Sequence, residues 1–190
     1  RNRMQRLGVT FEVASRADVS PMLPALRRIS DEWLRRHRSR EKAFSLGFFS
    51  DRYLCRTPMA IARHDGEVFA FANLWPATDG SVLSFDLMRY GDDAPKAAID
   101  FLIIELAHWG QAQGYQALDI GLAPLSGVDD QPHARMLARM GDFVFDTAER
   151  FYGFKGLRQF KDKFHPRWEP RFVAARNQWA AARALIDCAL

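Results

Sequence analysis

A chain of 190 residues with 48% hydrophobic and 26% charged residues carries enough apolar side chains for a packed core, which excludes a disordered chain. Its formal charge is +4 and no apolar run reaches bilayer length, so it reads as soluble by itself or as the soluble part of a larger protein. Two cysteines, Cys55 and Cys188, lie far apart in sequence, fit no metal-ligand spacing and read as free thiols of a reducing compartment.

Phe11-Glu12-Val13 opens the chain as a short strand. Ser20-Pro21 is then an N-cap followed by proline at the first helical position, and Leu23, Leu26, Ile29, Trp33 and Leu34 follow at helical spacing. Met59–Arg63 and Glu67–Leu74 are apolar runs around His64-Asp65-Gly66, a strong hairpin signal. Ser81–Arg89 adds a third strand after Asp79-Gly80. Pro95 opens a helix that ends at Gly114, a natural residue past a helix end. Ala117–Gly121 is a short apolar strand. A short helix is predicted around His133 to Met140 and another over Thr147–Phe164. Phe172–Ala174 reads as a last strand and Asn177–Leu190 as a closing helix. A helix joining two strands of one sheet requires a crossover and a locally parallel pair, so the fold class is α+β around a mixed sheet flanked by helices.

The basic character is local. Between Arg150 and Arg176, eight basic residues face only Asp162 and Glu169, a net +6 against +4 for the whole chain. Aromatic residues are interleaved with them, which suits a polyanion such as RNA or an anionic membrane surface. Helical spacing divides the two populations. Phe151, Phe154, Leu157, Phe160 and Phe164 take an inward side, while Lys155, Arg158, Lys161 and Lys163 face out as candidates for phosphate contact. The plain alternative is a solvated helix face. Trp168 reads as a packing anchor or as an interfacial ring at a membrane. A second run, Arg35-Arg36-His37-Arg38-Ser39-Arg40, ends the first long helix, where its dipole favours cations. His64, His108 and His133 show no ligand spacing, and no metal is assigned.

The segments ISDEWL (Ile29–Leu34), KAFSLGFF (Lys42–Phe49), FANLWP (Phe71–Pro76), FDLMR (Phe85–Arg89), IDFLIIELAHWGQAQGY (Ile99–Tyr115), LDIGLAPLS (Leu118–Ser126) and FYGFKGLRQFKDKFHPRWEPRF (Phe151–Phe172) resemble the C-terminal catalytic region of the phosphatidylglycerol lysyltransferases, also called lysylphosphatidylglycerol synthases or multiple peptide resistance factors. The order of elements resembles the GNAT acyltransferase fold. The resemblance covers about Gly8 to Ala174. It implies a bacterial enzyme that moves an amino acid from aminoacyl-tRNA to the glycerol hydroxyl of phosphatidylglycerol, lysine first and alanine next. It needs no cofactor, with aminoacyl-tRNA as co-substrate. It also implies that residues 1–190 are a single GNAT-like domain, the C-terminal half of a tandem whose first domain and transmembrane region are absent. The opening RNRMQRLG, without a natural start, agrees with a piece of a longer protein. The expected partners are aminoacyl-tRNA, anionic phospholipid and that preceding domain, and the expected location is the cytoplasmic face of the bacterial inner membrane.

Within FDLMR, Asp86 and Arg89 are the candidate catalytic pair. Three residues apart, they point to opposite faces of a regular strand and share one site only if a bulge or a strand end falls near Met88. Under the resemblance, Asp86 would accept the lipid hydroxyl proton or hold the amino acid's ammonium group. Arg89 would grip the lipid phosphate or stabilise an oxyanion. A structural salt bridge is the alternative. Asp31, Glu32 and Glu149 are lesser acids. Coenzyme A enzymes of the GNAT fold carry a glycine-rich turn before the helix that starts near Lys96, where backbone amides bind pyrophosphate. Here Gly91-Asp92-Asp93-Ala94-Pro95 supplies two carboxylates and a proline without an amide donor, which argues against acetyl-CoA. A coenzyme A-dependent N-acetyltransferase and a non-catalytic basic module on membrane or RNA are the rival readings.

Overall fold

The computed structural model describes residues 2–37, 41, 47–123, 154–172, 174–177, 180 and 183, apart from the side chains of Phe154 and Lys155. The chain divides into two compact units, Arg1–Gly121 and Leu122–Leu190. The predicted helix at His133–Met140, Glu149 and most of the closing helix lie outside the described residues.

The first unit holds α1 (Asn2–Arg6), β1 (Thr10–Ala14), α2 (Arg16–Arg36), α3 (Asp51–Leu54), β2 (Met59–His64), β3 (Glu67–Pro76), β4 (Val82–Tyr90), α4 (Ala98–Ala112) and β5 (Ala117–Asp119). The five strands form one sheet in the order β1-β2-β3-β4-β5. All neighbours are antiparallel except β4 and β5, which run parallel with Val82 opposite Ala117 and Ser84 opposite Asp119. The mixed α+β sheet expected from the sequence is therefore present. Asp65 and Gly66 both take positive φ, 51° and 83°, the two-residue reversal that matches the twist of β2 and β3.

Strand alternation sorts the core into two layers. Ala60, Ala62, Ala70, Ala72, Leu74 and Leu83 face α4, whose Phe101, Leu102 and Leu106 close over them together with Met4 of α1. Met59, Ile61, Val68, Phe71 and Leu87 face Val19, Leu26 and Ile29 of α2 and Leu54 of α3. Small residues on the α4 side let that helix approach the sheet, and large ones fill the α2 side.

Two helix starts differ from the sequence reading. The helix expected at Ser20-Pro21 begins at Arg16 behind Ser15, and Pro21 and Pro24 lie inside it. An interior proline costs about 3 kcal/mol. Val19, Leu26 and Ile29 are 0% exposed on the sheet, and each such burial contributes about 1.5–3 kcal/mol. Likewise α4 begins at Ala98, not Pro95, because Ala97 takes the left-handed conformation at φ 69°. Its end is as expected, with Gly114 at φ 89° and the Tyr115 N–H bonded to the Gly110 carbonyl at 3.0 Å.

In the second unit, α5 (Phe154–Asp162) is the described part of the helix expected over Thr147–Phe164. Arg171, Phe172 and Ala174 belong to no strand, contrary to expectation, and Phe172 stands 88% exposed with no described strand beside it.

Candidate active site

β4 contains the bulge that Asp86 and Arg89 require. Ala72 pairs with Met88 and Leu74 with Phe85, so one residue of β3, Asn73, stands opposite two of β4, Asp86 and Leu87. After this extra residue the alternation is reset. Phe85, Met88 and Tyr90 pack toward α4, whereas Leu87 packs toward α2. Asp86 and Arg89 reach partners on that same α2 face, Tyr53 for one and Ser30 for the other. Asn73 fastens the bulge, its side-chain Oδ1 accepting the Leu87 N–H at 2.8 Å. Gly47 packs on the distorted backbone, at φ 68° and so close to Asp86 and Leu87 that a Cβ there would meet the Asp86 carbonyl oxygen at 2.8 Å.

Asp86 sits among aromatic rings. The Tyr53 hydroxyl donates to Asp86 Oδ2. Phe48 stacks on Tyr53 at 5.3 Å, and Trp75, 40% exposed, meets it at 5.7 Å. Burial first, and the adjacent Asp86 carboxylate second, push the Tyr53 hydroxyl up to about 12, so it remains a donor at neutral pH. Asp86 Oδ1 and Asn73 Nδ2 are buried with no hydrogen-bond partner among the described residues. A buried acceptor and a buried donor in that state cost about 1–3 kcal/mol each, which makes them candidates for bonds to a bound molecule. An ammonium group or a hydroxyl suits the carboxylate oxygen.

Arg89 is 4% exposed and engaged within the protein. Its guanidinium donates to Ser30 Oγ and forks onto Glu41, at 2.6 Å to Oε1 and 3.0 Å to Oε2. The Trp33 ring lies beneath it at 5.1 Å. The Glu41 carboxylate, 30% exposed, thus occupies the face of the fork that a phosphate would take.

The turn between β4 and α4 explains its own lack of a phosphate cradle. Glu32 Oε2 accepts the Asp92 N–H at 2.9 Å, and a Cβ on Gly91 would strike that oxygen at 2.7 Å. Asp92 in turn holds Arg35 and Arg36, and Arg36 also donates to the Gly91 carbonyl at 3.0 Å. The hydrogen bond from Arg36 is the main reason the Asp92 carboxyl lies below its ordinary range. An internal carboxylate fills the place of an external anion. Arg35 and Arg36 of the second basic run are spent on this turn, and Arg38 and Arg40 lie outside the described residues.

The basic segment departs from the expected outward stripe. Lys161 is buried at 7% exposure, with Nζ donating to the Leu122 carbonyl at 2.7 Å. Arg158 lies over the Trp168 ring at 3.7 Å and pairs with Asp162 at 3.3 Å. Lys163 is exposed, its ammonium 4.8 Å from the centre of the Phe160 ring. Lys155 is on α5, with its side chain outside the described set. The reason is local: Trp168 and Asp162 draw Arg158 across the helix, and a carbonyl captures Lys161. Sequence reasoning missed Tyr53, Ser30 and Glu41; Ser30 lies in the segment ISDEWL, and Tyr53 and Glu41 lie in no quoted segment. Asn73, a lone amide inside the apolar run FANLW, was a legible signal.

A mixed five-stranded sheet with α2 and α3 on one face and α4 on the other is the GNAT-like acyltransferase fold. An aminoglycoside acetyltransferase from a soil metagenome shares it at a TM-score of 0.51 and 10% identity, over 92% of this chain and 98% of that one. Residues 1–175 match the family described as phosphatidylglycerol lysyltransferase, C-terminal, and the chain belongs to that family. It is 38% identical to the phosphatidylglycerol lysyltransferase of Bacillus subtilis (strain 168) over 93% of this chain and 20% of that protein. A solved C-terminal domain from Agrobacterium fabrum, assigned to lysylphosphatidylglycerol synthetase, superposes at a TM-score of 0.84 with 42% identity, covering 98% of this chain and 56% of that one. The structure of L-PGS from Bacillus licheniformis gives 0.71 and 41%, over 88% of this chain and 49% of that one. The chain spans about a fifth of the length of the curated relatives it matches.

Proposed function

We propose that this chain carries the transfer site of a phosphatidylglycerol aminoacyltransferase, which moves an amino acid from aminoacyl-tRNA to the glycerol hydroxyl of the lipid, with lysine as the first candidate and alanine the next. The observation that carries the reading is the Asp86 carboxylate, one oxygen bonded by Tyr53 and the other buried without a partner among the described residues, on a bulged strand beside aromatic rings. The family to which the chain belongs supplies the lipid and the lysyl group.

In this mechanism the lipid hydroxyl oxygen attacks the ester carbonyl of the aminoacyl-tRNA. Asp86 accepts the hydroxyl proton, the new ester bond forms, and the ribose oxygen leaves with a proton returned to it. The donor ester is already activated, so positioning and charge stabilisation suffice. Tyr53 orients the carboxylate. Arg89 fixes Glu41 beside the bulge and turns to the lipid phosphate or the developing oxyanion where Glu41 yields the fork. Lys155, Arg158, Lys161 and Lys163 supply the positive field for lipid or tRNA phosphate, Lys163 by direct contact. A preceding domain and a membrane-spanning region would complete the enzyme at the cytoplasmic face of the bacterial inner membrane. Among the described residues no helix is long and apolar enough to cross a membrane. A lysine ester turns the lipid's charge from negative to positive, which weakens the attraction of cationic peptides.

The coenzyme A reading is disfavoured because Glu32 already occupies the turn before α4. The test is transfer of labelled lysine from lysyl-tRNA to phosphatidylglycerol vesicles by the full-length protein. Asp86→Asn is expected to lower the rate by about 100-fold or more. An unchanged rate removes Asp86 from the chemistry. Absence of transfer from both lysyl- and alanyl-tRNA refutes the function, and micromolar binding of acetyl-CoA refutes the donor.

A further inference from the structure

We propose that the segment Arg167–Phe172 is an interfacial anchor that seats the second unit on an anionic phospholipid surface. This rests on the reading above that the acceptor is a membrane lipid. Phe172 is 88% exposed, well beyond Leu122 at 59%, the next most exposed large apolar side chain described. The ring is flanked by cations that its own segment does not neutralise. Arg167 and Arg171, with side chains 87% and 66% exposed, share the single carboxylate of Glu169 at 2.6 and 3.7 Å. From Lys163 to Arg176 the sequence holds four basic residues and one acid, a net +3. An apolar ring between two guanidinium groups that share one carboxylate matches the two layers of an anionic interface, acyl chains below and phosphates above.

The base of the segment is fixed. Trp168 donates from Nε1 to Asp162 Oδ1 at 2.9 Å, and Arg158 covers its face at 3.7 Å. Trp168 is therefore committed to α5 and takes the packing role, while Phe172 holds the interfacial one. Pro170 stiffens the chain between Trp168 and Phe172. A nucleic acid would use the segment differently, because stacked bases need accessible ring faces in succession and the Trp168 face is already covered.

The test is sedimentation of this chain with vesicles of phosphatidylglycerol or of phosphatidylcholine. Binding is expected to phosphatidylglycerol and to fall with salt. Phe172→Ser should weaken it about tenfold, and Arg167→Gln and Arg171→Gln about fivefold each. Because Phe172 lies outside the core, Phe172→Ser should melt at the wild-type temperature. In Phe172→Trp the added emission should shift to the blue on phosphatidylglycerol vesicles and be quenched by brominated acyl chains. Wild-type affinity in Phe172→Ser, or emission from Phe172→Trp that brominated lipid leaves unquenched, overturns the proposal. A shift produced by tRNA without vesicles reassigns the ring to RNA and overturns it as well. Loss of the anchor with lysine transfer intact refutes this inference alone. Vesicle binding without transfer from either aminoacyl-tRNA refutes the function alone.

Discussion

Replacing Gly47 with alanine asks whether the β4 bulge is held from outside the sheet. At φ 68° the new residue would carry the left-handed penalty of about 1–2 kcal/mol. Its Cβ would also lie 2.8 Å from the Asp86 carbonyl oxygen, 3.1 Å from the Asp86 carbonyl carbon and 3.2 Å from Leu87 Cα. These are backbone atoms of the bulge and cannot rotate aside as a side chain would. Relieving such an overlap costs about 1–3 kcal/mol more. A total near 3 kcal/mol lowers the melting temperature of a chain this size by about 6–12 °C. Gly66→Ala is the matched control: φ is 83°, and nothing lies within 4 Å of its Cβ, so it carries the conformational penalty alone. Thermal unfolding of both variants, followed by circular dichroism, separates the two contributions. Equal destabilisation of the two, or a Gly47→Ala protein within about 0.5 kcal/mol of wild type, would refute the packing of Gly47 on Asp86 and Leu87.

Tyr53 provides a test in alkali. Its hydroxyl is pushed up to about 12, so the protonated form is favoured in the folded state. Its contribution to stability is complete below about pH 10, the ordinary tyrosine value, and is lost as pH rises toward 12. Ultraviolet titration of the four tyrosines should show a late ionisation that disappears in Tyr53→Phe; if no tyrosine of the wild type ionises late, the burial of Tyr53 beside Asp86 is wrong. Asp92 behaves oppositely, because its carboxyl is held below the ordinary value by Arg36. Its contribution is present above about pH 4 and is lost as pH falls through the lowered value, so the gap in melting temperature between wild type and Asp92→Asn should close in acid. A gap that stays unchanged down to the acid unfolding of the wild type contradicts the pairing. Arg89→Met should cost about 1–3 kcal/mol in urea unfolding, below the usual loss for a buried pair because Glu41 can turn to water; a neutral result would mean that Arg89 does not hold Ser30 and Glu41.

The five strands of the sheet and the antiparallel meander of β2, β3 and β4 were legible from residue alternation and turn chemistry. Asp65-Gly66 and Asp79-Gly80 need backbone conformations that few other residues supply, and the alternation of Met59, Ala60, Ile61 and Ala62 assigns each to a face of the sheet. Gly114 likewise marked the end of α4. Local rules misplaced both helix starts. Pro21 looked like a first helical position, but the burial of Val19 ahead of it favours one more turn of helix. The motif FDLMR named Asp86 and Arg89, and sequence spacing could say only that they need a bulge or a strand end to share a face. Whether β4 bulges is decided by Asn73 across the ladder and by Gly47 from a distant loop, and no local window contains both. Tertiary structure alone gave Asp86 its tyrosine, engaged Arg89 with Glu41, and filled the turn before α4 with Glu32. In the basic segment, sequence determined the amount of charge, and packing decided its use. Lys161 went to a carbonyl and Arg158 to a ring, which leaves Arg167, Arg171 and Phe172 at the surface. Charge content is a sum over residues, whereas its direction depends on which partners the fold brings within reach.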